Sequence, residues 1–308
     1  MHTMKKLILI APIVLAVVLF ITMFRPEDKI EKLNDAIRSD NYAKIESLLA
    51  NLSGEEIDEG AAKASYHPLV LACEKGNDDV VNMLLEKNVD VNYREDVTGD
   101  TPITATLGSN SDNRFSIAQL LIEKGADVNA VNNYGFSPFT LVLDKRASDN
   151  ERTKEEQIQL FKYLYDNADI QTCLDEYPEK TNEFVMAVDK DSPAAAEWMM
   201  QQGKFSQEDI PSSQGSKLRY LYNLDDDGNL TSRTEMVEYV VNHGIEDINK
   251  TDNSGKTILM TAAEAEDAEA CELFLSLGAD KTMRDNAGKT AYDYAAKYNS
   301  GELDKLLR

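Results

Sequence analysis

The residues best arranged for chemistry are side-chain oxygens at alternate positions: Asn223, Asp225, Asp227 and Asn229, with Gly228 sixth from Asn223 and Leu230 eighth. Oxygens so spaced can converge on a hard cation such as calcium, and the glycine permits the sharp turn this needs. The pattern departs at its start, where Asn223 replaces an aspartate, and at its twelfth position. Thr234 stands there instead of a bidentate glutamate, and Glu235 comes one residue late. Asp-Gly-Asn is equally a good tight turn without any ion. The three histidines, His2, His67 and His243, suggest no catalytic set: His67 precedes a proline and His243 a glycine, both structural positions. No GxSxG, HExxH, P-loop or GxGxxG pattern occurs. No catalysis is therefore expected, and calcium is the one cofactor for which candidate ligands exist. Asn51-Leu52-Ser53 and Asn229-Leu230-Thr231 fit the glycosylation pattern, which is common by chance.

Charge narrows the partners. With 32 basic against 55 acidic residues the chain carries a formal charge of −23. This argues against nucleic acid as a partner, because binding phosphates needs clustered lysine and arginine. The excess acid fits either a well-solvated surface or electrostatic steering of a basic partner. Cys73, Cys173 and Cys271 stand far apart with no CxxC spacing, so neither a disulfide nor a zinc site is expected. Cys73 and Cys271 lie among small apolar residues and read as core.

The elements that would position these residues begin with a hydrophobic segment. Leu7 to Phe24 form an uncharged run, LILIAPIVLAVVLFITMF, after a short tail (1–6) containing Lys5 and Lys6. Its eighteen residues would span about 27 Å as a helix, close to the roughly 30 Å of a bilayer interior. The exit, Thr22-Met23-Phe24-Arg25, lacks the small-residue site of a cleavable signal. An uncleaved transmembrane signal-anchor over 7–24 is expected, with a linker at 25–30. The short lysine-bearing tail favours export of the rest of the chain. Arg25, Lys29, Lys32 and Arg38 favour retention of that side, so the two signals conflict. An extracytoplasmic domain is the expectation.

Beyond the linker the chain repeats itself. Three segments end alike: Leu84-Leu85-Glu86-Lys87-Asn88-Val89-Asp90-Val91-Asn92, Leu120-Leu121-Ile122-Glu123-Lys124-Gly125-Ala126-Asp127-Val128-Asn129 and Phe274-Leu275-Ser276-Leu277-Gly278-Ala279-Asp280. Short helical segments open at His67-Pro68-Leu69, Thr101-Pro102-Ile103, Ser137-Pro138-Phe139, Thr257-Ile258-Leu259 and Thr290-Ala291-Tyr292. The residue before the helix supplies a cap oxygen, and proline suits the first helical position because its missing N–H has no partner there anyway. Ala72, Ala105, Ala262-Ala263 and Ala295-Ala296 keep the first helix thin, and the Leu-Leu pairs bury the second. Gly125, Gly244 and Gly278 can end helices in the left-handed conformation. The step from Gly255-Lys256-Thr257 to Gly288-Lys289-Thr290 is 33 residues. In period and in these segments the chain resembles the ankyrin repeat with its TPLHxA signature.

The resemblance implies an all-α ankyrin-repeat solenoid of about seven or eight helix-turn-helix repeats behind an N-terminal transmembrane helix. Repeats are placed near 31–61, 62–94, 95–131 and 132–171, divergent ones at 172–204 and 205–250, then 251–284 and a cap at 285–308. Insertions are read at Asn110–Arg114, Ala147–Glu155 and Asp225–Arg233. The resemblance further implies a scaffold that binds another protein through its turn tips and first helices, without a small-molecule substrate. The tip residues are Tyr93, Arg94, Glu95 and Asp96; Asn132, Asn133, Tyr134 and Phe136; and Asp252, Asn253 and Ser254, with Tyr93 and Tyr134 as aromatic anchors. Two other functions stay open: an immunity protein capturing a secreted basic toxin, and a calcium-modulated envelope module using the Asp225–Asp227 loop.

Overall fold

The computed structural model describes residues 26–144, 151–176, 181–224, 228–297 and 301–308. The expected anchor at 7–24 and the tail before it lie outside these residues. Among the described residues no helix is long and apolar enough to cross a membrane. The chain divides into two compact units, meeting in sequence at Lys180 and Thr181.

The first unit contains α1 (Pro26–Arg38), α2 (Tyr42–Leu49), α3 (Gly54–Ala61), α4 (Pro68–Lys75), α5 (Asp78–Glu86), α6 (Pro102–Gly108), α7 (Arg114–Glu123), α8 (Pro138–Leu141), α9 (Glu151–Asn167) and α10 (Ile170–Asp175). Its short helices α4, α6 and α8 pack side by side, and each turns back onto a partner, α5, α7 and α9. The sequence places the starts. His67 accepts the Leu69 amide at 3.2 Å, and Ser137 accepts that of Thr140 at 3.3 Å. In return, the hydroxyls of Thr104 and Thr140 accept the amides of Thr101 and Ser137. Each interaction satisfies a donor that the first helical turn leaves unpaired. The core between the rows is aliphatic: Leu69, Ala72, Val80, Val81, Leu84, Ile103, Leu107, Ile117 and Leu121 are all fully enclosed. Both leucines of the Leu84-Leu85 pair are buried, whereas in Leu120-Leu121 only the second is enclosed and Leu120 is half-buried.

The second unit holds α11 (Glu183–Asp189), α12 (Pro193–Gln201), a 3-10 turn at Gln207–Asp209, α13 (Lys217–Leu221), β1 (Tyr222–Leu224), β2 (Leu230–Ser232), α14 (Thr234–Asn242), α15 (Ile258–Glu264), α16 (Ala268–Ser276), α17 (Ala291–Ala295) and α18 (Gly301–Leu307). Helix α15 packs on α17, with α16 and α18 behind them. Thr257 and Thr290 cap α15 and α17 by accepting the amides of Met260 and Asp293, each at 3.3 Å.

Four expectations need correction. The chain is not wholly helical: β1 and β2 pair antiparallel, Tyr222 opposite Ser232 and Leu224 opposite Leu230. Strand-favouring tyrosine, leucine and threonine flank a turn-prone segment, which suits a hairpin better than a helix. The hairpin is pinned where Tyr222 donates its hydroxyl to Asp267 at 2.7 Å and sets its ring edge-on to Phe274. The first repeat carries a third helix, α3, started by a reciprocal Ser53–Glu56 cap. The expected boundary at 171/172 cuts through α10. The expected insertions are also shorter: Arg114 is the fully buried first residue of α7, and Glu151–Glu155 already belong to α9. Residues 147–150, from the same insertion, lie outside the described residues.

Helix endings give a graded test. Gly278 has φ +94 with nothing close to the position of a Cβ, whereas Gly76 has φ +67 and a Cβ there would collide with the Ser111 side chain. Gly278→Ala is expected to cost about 1 kcal/mol, from backbone strain alone. Gly76→Ala should cost at least about 1 kcal/mol more, because two adjacent repeats must also separate. Chemical denaturation of both variants checks the order.

Candidate protein-binding surface

The turns between helix pairs are built on backbone amides captured by one inward-facing polar side chain. Asn132 is nearly buried, and its Oδ1 accepts the amides of Tyr134 and Phe136 at 3.0 and 2.9 Å. Its Nδ2 donates to Asp100 at 2.8 Å. In the second unit Asp252 accepts the amides of Ser254 and Lys256 and the Ser254 hydroxyl, while its other oxygen meets Arg219 at 2.7 Å. Asp285 repeats the plan with the amides of Ala287 and Lys289 and accepts the Tyr294 hydroxyl at 2.6 Å. An oxygen at this place compensates two donors that a tight turn strands from water.

Neighbouring turns are then tied to one another. The Asn133 amide donates to the Thr98 carbonyl at 2.8 Å, and its Nδ2 donates to the Val97 carbonyl. The Asn286 amide and side chain bond the carbonyls of Ser254 and Asn253 in the same way. A second tie lies at the helix ends, where Asn92, Asn129 and Asn249 accept the amides of Asp127, Asp169 and Asp280 at 2.7, 2.6 and 2.7 Å. The recurrent Asn at each Asp-Val-Asn or equivalent ending was the only sequence signal for this tie.

Several expected contact residues therefore already have structural partners. Asn132, Asn133, Asp252 and Ser254 hold turns, and Asn253 lends its carbonyl to Asn286. Arg94 reaches back to the Val131 carbonyl and to Asn133. Glu95 accepts the His67 amide at 2.7 Å, and Tyr93 stacks on the His67 ring at 4.2 Å. Burial raises the Glu95 carboxyl above its ordinary range, against the pull of that bond. Phe136 is half-buried. Arg94, Asp96, Asn133, Asn253 and Ser254 face solvent, and so do two apolar side chains, Tyr134 at 57% exposure and Val97 at 85%. Val97 escapes sequence reasoning because an isolated valine in a turn carries no periodic signal.

The remaining candidates are less well placed for chemistry. His67 is fully buried, with Nδ1 taken by the Leu69 amide and Nε2 3.0 Å from Asp58 Oδ1, so it serves as a helix cap. Burial pushes the Cys73 and Cys271 thiols up to about 12, which removes them as nucleophiles near neutrality. Asn223 lies in β1 and Asn229 just before β2, while Asp225 and Asp227 fall outside the described residues. The flanks of that loop are two strands at one end of a hairpin, unlike the paired helices that frame an EF-hand-like calcium loop. Among the described residues no group of three or more His, Cys, Asp or Glu side chains could hold a metal.

Asp252 makes the turn framework sensitive to acid. Burial raises its carboxyl, but the Ser254 hydroxyl, the turn amides and the Arg219 charge outweigh burial and leave it below its ordinary value. A carboxyl depressed in the folded state stabilises above its unfolded value of about 4 and loses that contribution as pH falls. Asp252→Asn keeps the amide-capturing oxygen, as Asn132 does, and loses the pairing with Arg219. It should cost about 2 kcal/mol at neutral pH and flatten the fall of melting temperature below about pH 4. Thermal melts across that range check both effects.

Comparison with known proteins agrees with this geometry. The family described as "Ankyrin repeats (3 copies)" matches residues 33–132 and 229–308, together more than half of the chain. An ankyrin repeat protein of Acanthamoeba polyphaga mimivirus is 27% identical over 163 residues, covering 51% of this chain and 25% of that relative. The chain thus spans about a quarter of that relative's length. Among solved structures, the human ASB11 ankyrin repeat domain aligns with a TM-score of 0.44 at 19% identity, over 78% of this chain and 96% of that one. The matched segments, the capped helix pairs and the tied turns together place this chain in the ankyrin-repeat family.

Proposed function

We propose that the chain is a membrane-tethered scaffold that binds another protein through its turn tips, without catalysis. Ankyrin repeats serve as protein-interaction modules, which supports the coarse reading. The observation that carries the finer one is the pair of exposed apolar side chains on adjacent tips, Val97 and Tyr134. Asn133 bonds the Val97 carbonyl from the neighbouring turn, so the two residues sit on a framework ordered before any partner arrives. A preorganised tip spares the ordering cost of binding, and an aromatic anchor there can supply much of the interface energy. Asp96 adds a negative charge beside them, which suits a partner with basic residues.

The tether rests on residues 7–24, an uncharged run long enough to span a bilayer. A specific form of the scaffold reading is an immunity protein that intercepts a basic toxin at the membrane, favoured by the charge of −23.

Two measurements test this. Affinity capture from membranes should lose its partner with Tyr134→Ala and with Val97→Asp, by at least about tenfold in recovery. Melting temperatures should stay near the parent value, because both side chains are exposed; unchanged capture would remove the tips from the interface. The intact chain should sediment with membranes and resist carbonate extraction, and deletion of residues 7–24 should release it. Release of the intact chain by carbonate would end the tether.

A further inference from the structure

The second unit presents a groove away from its turn tips, along the outer helices α12 and α14. It is open, about 600 Å³ in volume, and lined by Met200, Phe205, Tyr239 and His243 with Glu197 and Glu208 at its sides. The floor is aromatic and held in place. The His243 ring lies against Tyr239 with centroids 4.1 Å apart and planes tilted by 33°, and its Nδ1 lies 2.9 Å from the Tyr239 carbonyl. The bond fixes the ring's orientation, with Nδ1–H as donor to the carbonyl. Phe205 is fixed by stacking on Phe184 at 4.9 Å, nearly parallel.

The charge around this floor is unbalanced. Neither Glu197 nor Glu208 forms an ion pair among the described residues; Glu197 accepts only a 3.5 Å bond from Gln201. The nearby cations already have partners, one of them a ring of this floor. Lys204 pairs with Glu183 and lies over the Phe205 ring, and Lys217 donates to the Ile210 carbonyl. Two carboxylates without a cationic partner among the described residues, beside aromatic faces, match one kind of side chain. With Phe205 already flanked by Phe184 and Lys204, a guanidinium can stack on the Tyr239–His243 pair, bond a carboxylate through its fork and lay its methylene stem over Met200.

We propose that this groove docks an arginine-bearing, apolar-flanked segment of a partner protein, as a second contact separate from the tips. It goes beyond the tip-binding reading and can fail or hold without it. The outer-helix groove would select the partner's cationic anchor, while the tips read a different part of the same surface.

A labelled peptide of alternating leucine and arginine, and its twin with neutral citrulline for arginine, test this on the full chain by fluorescence anisotropy. The citrulline twin should bind at least about tenfold more weakly. Tyr239→Ala, and separately the double variant Glu197→Gln with Glu208→Gln, should each weaken the arginine peptide by at least about fivefold. Because general attraction to an acidic protein could mimic this, Glu269→Gln with Glu272→Gln removes the same charge from exposed positions on α16. That control and Tyr134→Ala should each stay within about twofold of the parent. Equal binding of the two peptides, equal losses in the α16 control, or no loss in the two groove variants would each overturn the proposal. Loss with Tyr134→Ala in place of the groove variants would also overturn it and assign the peptide to the tips.

Discussion

The amide of Asn133 donates to the carbonyl of Thr98, and 153 residues later the amide of Asn286 donates to the carbonyl of Ser254. These bonds, with the asparagine ties at the helix ends, hold neighbouring repeats together within each unit. The constraint matters because a pair of helices seven to ten residues long is marginal alone in water. It buries its apolar face only when a neighbour lies against it, and the thin first helices with Ala72, Ala105 and Ala262 allow that approach. Polar ties at the edges set the register, and the aliphatic core between them supplies most of the stabilisation.

The same ties explain where much of the acidic charge goes. Asp252 and Asp285 hold turns, and Asp58 bonds both His67 and the Asp90 amide. Glu246 accepts the amides that open α13, and Asp191 accepts those that open α14. A carboxylate at a helix start compensates unpaired amides and the positive end of the helix dipole. A net charge of −23 therefore overstates the acid available to a partner. What matters for recognition is the remainder without internal ion pairs among the described residues, such as Glu197 and Glu208 beside the outer groove.

The middle of the chain departs from the family pattern for local reasons. Helix α8 is only four residues long, and α9 has seventeen; the matched family segments leave out this stretch and most of the hairpin region. In the hairpin, Tyr222 substitutes for the packing that a longer first helix would give. Its ring meets Phe274 and its hydroxyl finds Asp267, so a strand covers a surface that a helix covers elsewhere in this unit.

By itself the sequence determined the repeat, its 33-residue step, the capped starts of the first helices and the left-handed endings at Gly125, Gly244 and Gly278. These are local properties, set by a cap oxygen, a fixed φ or the absence of a Cβ, and so legible along the chain. Tertiary structure decided which tip residues face out. Asn132 and Asp252 belong to the same turns as Tyr134 and Asn253, and only the direction of each side chain separates a turn-holding residue from an exposed one. The groove beside Tyr239 shares that character, because it joins residues distant in sequence, for which composition and spacing carry no signal. Helix α3 and the Tyr222 hairpin had local signals, the Ser53–Glu56 cap and the strand-favouring residues about a turn, which a strict two-helix repeat does not anticipate.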